Sequence, residues 1–74
     1  MTVYQNIKRL RKERGLRQKD IAKLTGVAMA TYQRWEQGKH SIRVEKLLAL
    51  AKALGVTLNE VLDDGEELEG GVGG

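Results

Sequence analysis

A chain of 74 residues without cysteine is sized for one small domain, with neither a disulfide framework nor a thiolate metal site to brace it. Such a domain buries only about 60% of the surface its unfolded chain exposes, which argues against a large enzymatic cleft. The net charge of +3 hides a split: residues 1–58 carry thirteen bases against four acids, giving +9, whereas residues 59–74 carry six acids and no base, giving −6, so the body points to a polyanionic partner.

No basic-then-apolar leader opens the sequence, and its most apolar run, Val44 to Val56, is cut by Lys46 and Lys52. A cytoplasmic protein with no membrane partner is therefore the expectation. Proline is absent, so glycines and hydrophobic period must mark the element boundaries.

Thr2 is placed to N-cap a first helix, with Ile7 and Leu10 on one face and Lys8, Arg9 and Lys12 elsewhere. Gly15 stops it, and Leu16 crosses into the core. A short second helix fits Gln18 to Thr25, with Ile21, Ala22 and Leu24 facing inward. Gly26 ends it, because a residue that tolerates φ > 0 is needed in so tight a turn. A third helix fits Ala28 to Gln37 and ends at Gly38. Tyr32 and Trp35, at i and i+3, read as core with the tyrosine hydroxyl at its rim.

Together, Gln18 to Gln37 form a helix-turn-helix, with small Ala22 allowing the two helices to approach. Lys39 to Arg43 is a polar, basic loop. Its His40 has no second ligand in reach of sequence reasoning and reads as a solvated loop residue. A fourth helix fits Val44 to Leu54, its apolar positions 44, 47, 48, 51 and 54 forming a stripe that Leu50 widens. Gly55 stops it. Thr57 and Glu60 then match a capping box, opening a fifth helix from Leu58 or Asn59 to Leu62. From Asp63 the chain is acidic and holds five of the nine glycines, which predicts a disordered tail or linker over 63–74 beside an ordered domain over 1–62. The fold class is all-α, with five helices.

The run Ile7-Lys-Arg-Leu-Arg-Lys-Glu-Arg-Gly-Leu-Arg-Gln, with Ile21-Ala22, Gly26-Val27, Trp35-Glu36 and Leu47 through Val56, resembles the lambda-repressor-like, Cro/XRE type of DNA-binding domain. Any one of these matches is weak; their joint spacing is specific. The resemblance covers about residues 3–62, and its nearest character is that of lambdoid phage repressor N-terminal domains. It implies a five-helix fold in which helices two and three form the helix-turn-helix and the third enters the major groove of duplex DNA. It also implies roles for particular residues. Gln18 would bind a phosphate at the start of the second helix. Met29, Ala30 and Arg34 would face base edges, flanked by Thr31, Gln33, Lys39 and Arg43, mostly on the backbone. Arg11 and Glu36 match a structural ion pair joining the first helix to the end of the third.

The sequence also departs from that family's pattern. Arg17 and Ala28 stand where Ser or Thr caps are preferred, Tyr32 replaces an aliphatic residue, and Ile42 stands where proline is common. Ala28-Met29-Ala30 is poor in hydrogen-bonding groups, leaving thymine methyl contacts and Arg34 as the expected readers. The functional expectation is a sequence-specific regulator of transcription, a repressor that binds a palindromic operator as a homodimer, with Leu58, Val61 and Leu62 as candidate dimer contacts. An alternative is a protein-interaction module that keeps the fold and binds DNA weakly. No cofactor, metal or small-molecule ligand is expected. No catalytic constellation is present, so the chain does not read as an enzyme.

Overall fold

Four glycines set the path of the chain. A computed structural model describes residues 2–62, and the tail expected over 63–74 lies outside them. Within that span α1 (Val3–Glu13), α2 (Gln18–Thr25), α3 (Met29–Gln37), α4 (Val44–Leu54) and α5 (Leu58–Leu62) follow one another, and positive φ occurs only at Gly15, Gly26, Gly38 and Gly55. The all-α, five-helix architecture is thus the observed one. Among the described residues, no helix is long and apolar enough to cross a membrane.

Each helix starts with what its sequence supplies. Thr2 accepts a hydrogen bond from the Gln5 N–H while the Gln5 side chain accepts one from the Thr2 N–H, a complete capping box. Thr57 and Glu60 repeat the device at α5. At α2 the N-cap Arg17 has no side-chain acceptor, but the Asp20 carboxylate accepts from the Arg17 N–H at 2.8 Å and supplies the returning half of the box. That backbone hydrogen bond, then the one from the Arg17 side chain, holds the Asp20 carboxyl below its ordinary pKa. Ala28, read from sequence as the first helical residue, is instead the N-cap of α3 and makes no side-chain capping bond.

The core is built from Ile7 and Leu10 of α1, Ile21 and Ala22 of α2, Tyr32 and Trp35 of α3, Leu50, Ala51 and Leu54 of α4, and Val61 of α5. The Tyr32 and Trp35 rings meet edge to face, with centroids 6.0 Å apart at 74°. Three inward assignments fail. Leu24 is 61% exposed, and the inner face of α2 is completed by Thr25, whose hydroxyl donates to the Ile21 and Ala22 carbonyls. Val44 and Leu48 are 65% and 52% exposed. The inward stripe of α4 is 47, 50, 51 and 54, an i, i+3, i+4, i+7 series rotated from the one expected.

Two polar residues tie the helices in ways the hydrophobic pattern did not reveal. Asn6 is fully buried and donates through Nδ2 to the carbonyls of Glu60 and Val61, at 2.6 and 2.9 Å, while its oxygen accepts from Arg9. It anchors the five-residue α5, whose last carbonyls have no intrahelical donor. Lys46 of α4 donates to the Thr25 carbonyl at 3.1 Å, satisfying the C-terminal end of α2 with a cation. The Asn6 arrangement predicts that Asn6→Ala, which strips buried carbonyls of their donor, lowers stability by about 1–3 kcal/mol in urea unfolding. The amides of α5 should gain the largest increase in hydrogen exchange; protection unchanged there would refute the anchoring role.

Candidate nucleic-acid interface

The helix-turn-helix is closed by Gly26. At φ +74° it lets its own N–H reach the Lys23 carbonyl and the Val27 N–H reach the Ala22 carbonyl at 3.0 Å, so α2 ends and α3 begins within three residues. α3 then packs on both α1 and α2. Its buried residues, Tyr32 and Trp35, fix its rotation: at 100° per residue, Ala30, Gln33, Arg34 and Gln37 fall on the opposite, outer face.

Behind that face lies a polar junction. Arg11 of α1 reaches Glu36 with Nε at 2.6 Å and Nη2 at 3.2 Å, and its Nη1 donates to the Leu16 carbonyl at 2.8 Å. The two side chains are only 10% and 4% exposed. Tyr32 also donates its hydroxyl to Glu36, and Gln18 donates through Nε2 at 2.9 Å. The Tyr32 hydroxyl therefore sits at the core rim, partnered by Glu36.

Burial alone pushes the Glu36 carboxyl up. The hydrogen bonds from Arg11, Tyr32 and Gln18, with the Arg11 charge, outweigh it and hold the group below its ordinary value. The hydrogen bond to Glu36 likewise raises Arg11. Burial, then the bond to Glu36, keeps Tyr32 a neutral donor well above the usual tyrosine range.

The residues singled out in the sequence are distributed as follows. Met29, Ala30 and Arg34 are exposed, as are Lys39 and Arg43 beyond the end of α3. Gln33 is half-buried and Thr31 is half-buried on the core-side edge of α3, turned from the centre of the outer face. Gln18 is not a free side chain. Besides donating to Glu36, its oxygen accepts from Gln33 Nε2 at 3.3 Å. Of the three candidate dimer contacts, Val61 is 0% exposed and has no surface to offer a partner; Leu58 is half-buried and Leu62 exposed. Gly38, at φ +74°, ends α3 beside the Tyr4 ring, which lies 3.4 Å from where a Cβ would stand.

The Gln18–Gln33 contact escaped sequence reasoning, although both residues were singled out separately. Its signal is relational: Glu36 is one helical turn from Gln33 and Tyr32, and a carboxylate there draws donors from α2. Asn6 carried a plainer sign, a polar residue at the i−1 and i−4 positions of two core residues, Ile7 and Leu10.

A family model described as helix-turn-helix matches residues 7–61. Among curated proteins, the cryptic phage CTXphi transcriptional repressor RstR of Vibrio cholerae is 40% identical over 60 residues, covering 81% of this chain and 54% of that protein. The HTH-type transcriptional regulator DdrOP3 of Deinococcus deserti is 33% identical over 63 residues, covering 85% of this chain and 49% of its own length. The chain thus spans about half the length of the curated relatives it matches. Among solved structures, the P22 c2 repressor in complex with a synthetic operator superposes with a TM-score of 0.76 at 31% identity, covering 84% of this chain and 94% of that one.

The junction predicts a pH response. Glu36 is depressed in the fold and ordinary when unfolded, so its contribution is present at neutral pH, declines as pH falls below the ordinary glutamate range, and is lost once pH passes the folded value. Glu36→Gln should therefore be less stable at pH 7 by about 3–5 kcal/mol, since it leaves Arg11 buried without its counter-charge. It should also show a flatter decline of melting temperature on acidification. A variant whose acid limb parallels the parent's would show that Glu36 is not responsible.

Proposed function

The chain belongs to the helix-turn-helix family of lambda-repressor-like, Cro/XRE-type domains, and from that membership we propose that it is a sequence-specific, double-stranded-DNA-binding regulator of transcription. The proposed regulator is a repressor acting as a homodimer on a palindromic operator. The observation that carries the reading is the fixed rotation of α3: buried Tyr32 and Trp35 on one side turn Ala30, Gln33 and Arg34 outward on the other. A DNA-bound P22 c2 repressor of the same fold and two relatives named as transcriptional regulators support it. Those relatives are regulators rather than enzymes, and such a role belongs in the cytoplasm or nucleoid.

In this mechanism α3 enters the major groove. Arg34 is the long, always-charged donor of the outer face and suits the O6 and N7 acceptors of guanine. Met29 and Ala30 bring apolar surface to thymine methyl groups. Gln18 keeps a second Nε2 hydrogen and its backbone N–H at the positive end of α2, a pair of donors for one phosphate. Lys39 and Arg43, with Thr31 nearer the core, flank the groove helix and contribute to phosphate affinity. Exposed Leu62 and half-buried Leu58, with Val61 withdrawn into the core, are the surface through which two copies would meet.

Selection of bound duplexes from a random pool should return sites with two-fold symmetry and half-site centres about 34 Å apart. Affinity for a selected site should fall linearly on log–log axes with salt, with a slope of about −0.9 per phosphate neutralised. Asymmetric winners would count against a homodimer. A flat salt response, or no shift of any duplex at low salt, would favour a protein-interaction module instead. Arg34→Ala should relax preference at one base pair per half-site, by about 1–3 kcal/mol, without loss of fold.

A further inference from the structure

The outer face of α3 lacks a hydrogen-bonding reader at its first turn, where Met29 and Ala30 stand, yet an amide is held beside it. Glu36 accepts from Arg11, Tyr32 and Gln18, and an ionised carboxylate can only accept. The Gln18 amide must therefore turn its nitrogen toward Glu36. This directs its oxygen away from the carboxylate, and that oxygen accepts from Gln33 Nε2 at 3.3 Å. Gln33 is thereby fixed in turn: one of its N–H groups is committed to Gln18, and its other N–H and its carbonyl oxygen are left as a donor–acceptor pair. Gln33 lies four residues from Met29 and three from Ala30, on the same side of the helix as both. A glutamine amide with one donor and one acceptor free matches the N6 and N7 edge of adenine.

We propose that Gln33 is a specificity-determining residue that reads an adenine in each half-site, and that Gln18 is its positioning residue, so that phosphate clamp and base reader form one hydrogen-bonded unit. This rests on the reading of the chain as a DNA-binding domain and replaces the backbone-flanking role that the sequence suggested for Gln33. The unit transmits order from the buried ion pair outward. Glu36 fixes Gln18, Gln18 fixes Gln33, and the conformational freedom that a long surface side chain would otherwise lose on binding is already partly surrendered.

The test compares the parent with Gln33→Ala, Gln33→Met and Gln18→Ala on duplexes drawn from one random pool, with melting curves to establish that each variant is folded. The parent's winners should carry an A·T pair at one symmetric position. Gln33→Ala and Gln33→Met should both lose that preference, about tenfold, while keeping the rest of the site. Gln18→Ala should bind all duplexes more weakly and also blunt the same preference. Placing 7-deazaadenine, which lacks the N7 acceptor, at that position should weaken the parent about tenfold and leave Gln33→Ala unaffected. If both Gln33 variants weaken all sequences alike, or select the parent's site, the reader role is overturned while DNA binding stands. A Gln18→Ala variant with its adenine preference intact overturns the positioning role. A parent that selects no duplex at all overturns the DNA-binding reading itself, and this inference with it.

Discussion

The carboxylate of Glu36 is the constraint on which the rest of this small molecule is arranged. A charge that is 4% exposed must be compensated, and the donors that compensate it come from three helices: Arg11 from α1, Gln18 from α2 and Tyr32 from its own α3. A cavity of apolar side chains could have packed here with equal or greater stability, since replacing a buried ion pair by well-fitted hydrophobic groups is often neutral or favourable. What the polar junction adds is direction. Apolar contacts tolerate sliding and rotation, whereas bidentate Arg–Glu geometry and oriented amides do not. The angle at which α3 stands on α1 and α2 is thereby defined, and a helix that is to enter a groove, as proposed for α3, would need that angle more than the last increment of stability. Tyr32 contributes twice, as a ring packed edge to face on Trp35 and as a hydroxyl on Glu36. An aliphatic residue at that position would supply only the first.

Much of this was legible from residues because the relevant signals are local. Gly15, Gly26, Gly38 and Gly55 each mark a turn in which the backbone takes positive φ, so the C-terminal ends of four helices followed from four letters, whereas the start of α3, expected at Ala28 with no such letter to mark it, lies one residue later at Met29. The Thr57–Glu60 capping box is similarly a pattern of adjacent residues. The assignment of leucines failed for the opposite reason. Leu24, Val44 and Leu48 are as apolar as their buried neighbours, and this chain has more such residues than five short helices can enclose. With surplus apolar positions on α4, two stripes fit the helical period, and only the position of α2 and α5 selects between them. Asn6 shows the converse. An asparagine on the inner face of α1 reads as an interruption until α5 is in place above it, with the Glu60 and Val61 carbonyls lacking donors.

The candidate site was legible by family resemblance and less so by geometry. Residues on the outer face of α3 could be named, but the link between Gln18 and Gln33 depends on a carboxylate eighteen residues from one and three from the other in the chain. Sequence spacing alone does not show which donors a buried acid will recruit. The same is true of Val61, an apolar residue near the end of the domain that sequence reasoning left free for a partner. The Asn6 bond to its carbonyl and the packing of α5 on α1 and α4 instead enclose it.

In the proposed complex these features would divide the work of recognition between two kinds of contact. There, Lys39 and Arg43 with the α2 terminus would supply charge and donors to a backbone that is the same at every base pair, and that contribution would be diluted by salt. Discrimination would come from the outer face of α3, where Arg34 and Gln33 are the polar readers and the first turn adds only the apolar surface of Met29 and Ala30. Such surface distinguishes thymine from other bases by the fit of one methyl, a smaller difference than a bidentate hydrogen bond provides. A domain so built gains from rigidity in proportion to the poverty of its readers. When few groups discriminate, each must meet its base without being free to adapt to the wrong one, and a wrong base then leaves a polar edge unpaired instead of merely repositioned. In such a complex the buried pair of Arg11 and Glu36 would therefore be joined to selectivity although neither side chain is placed on the outer face.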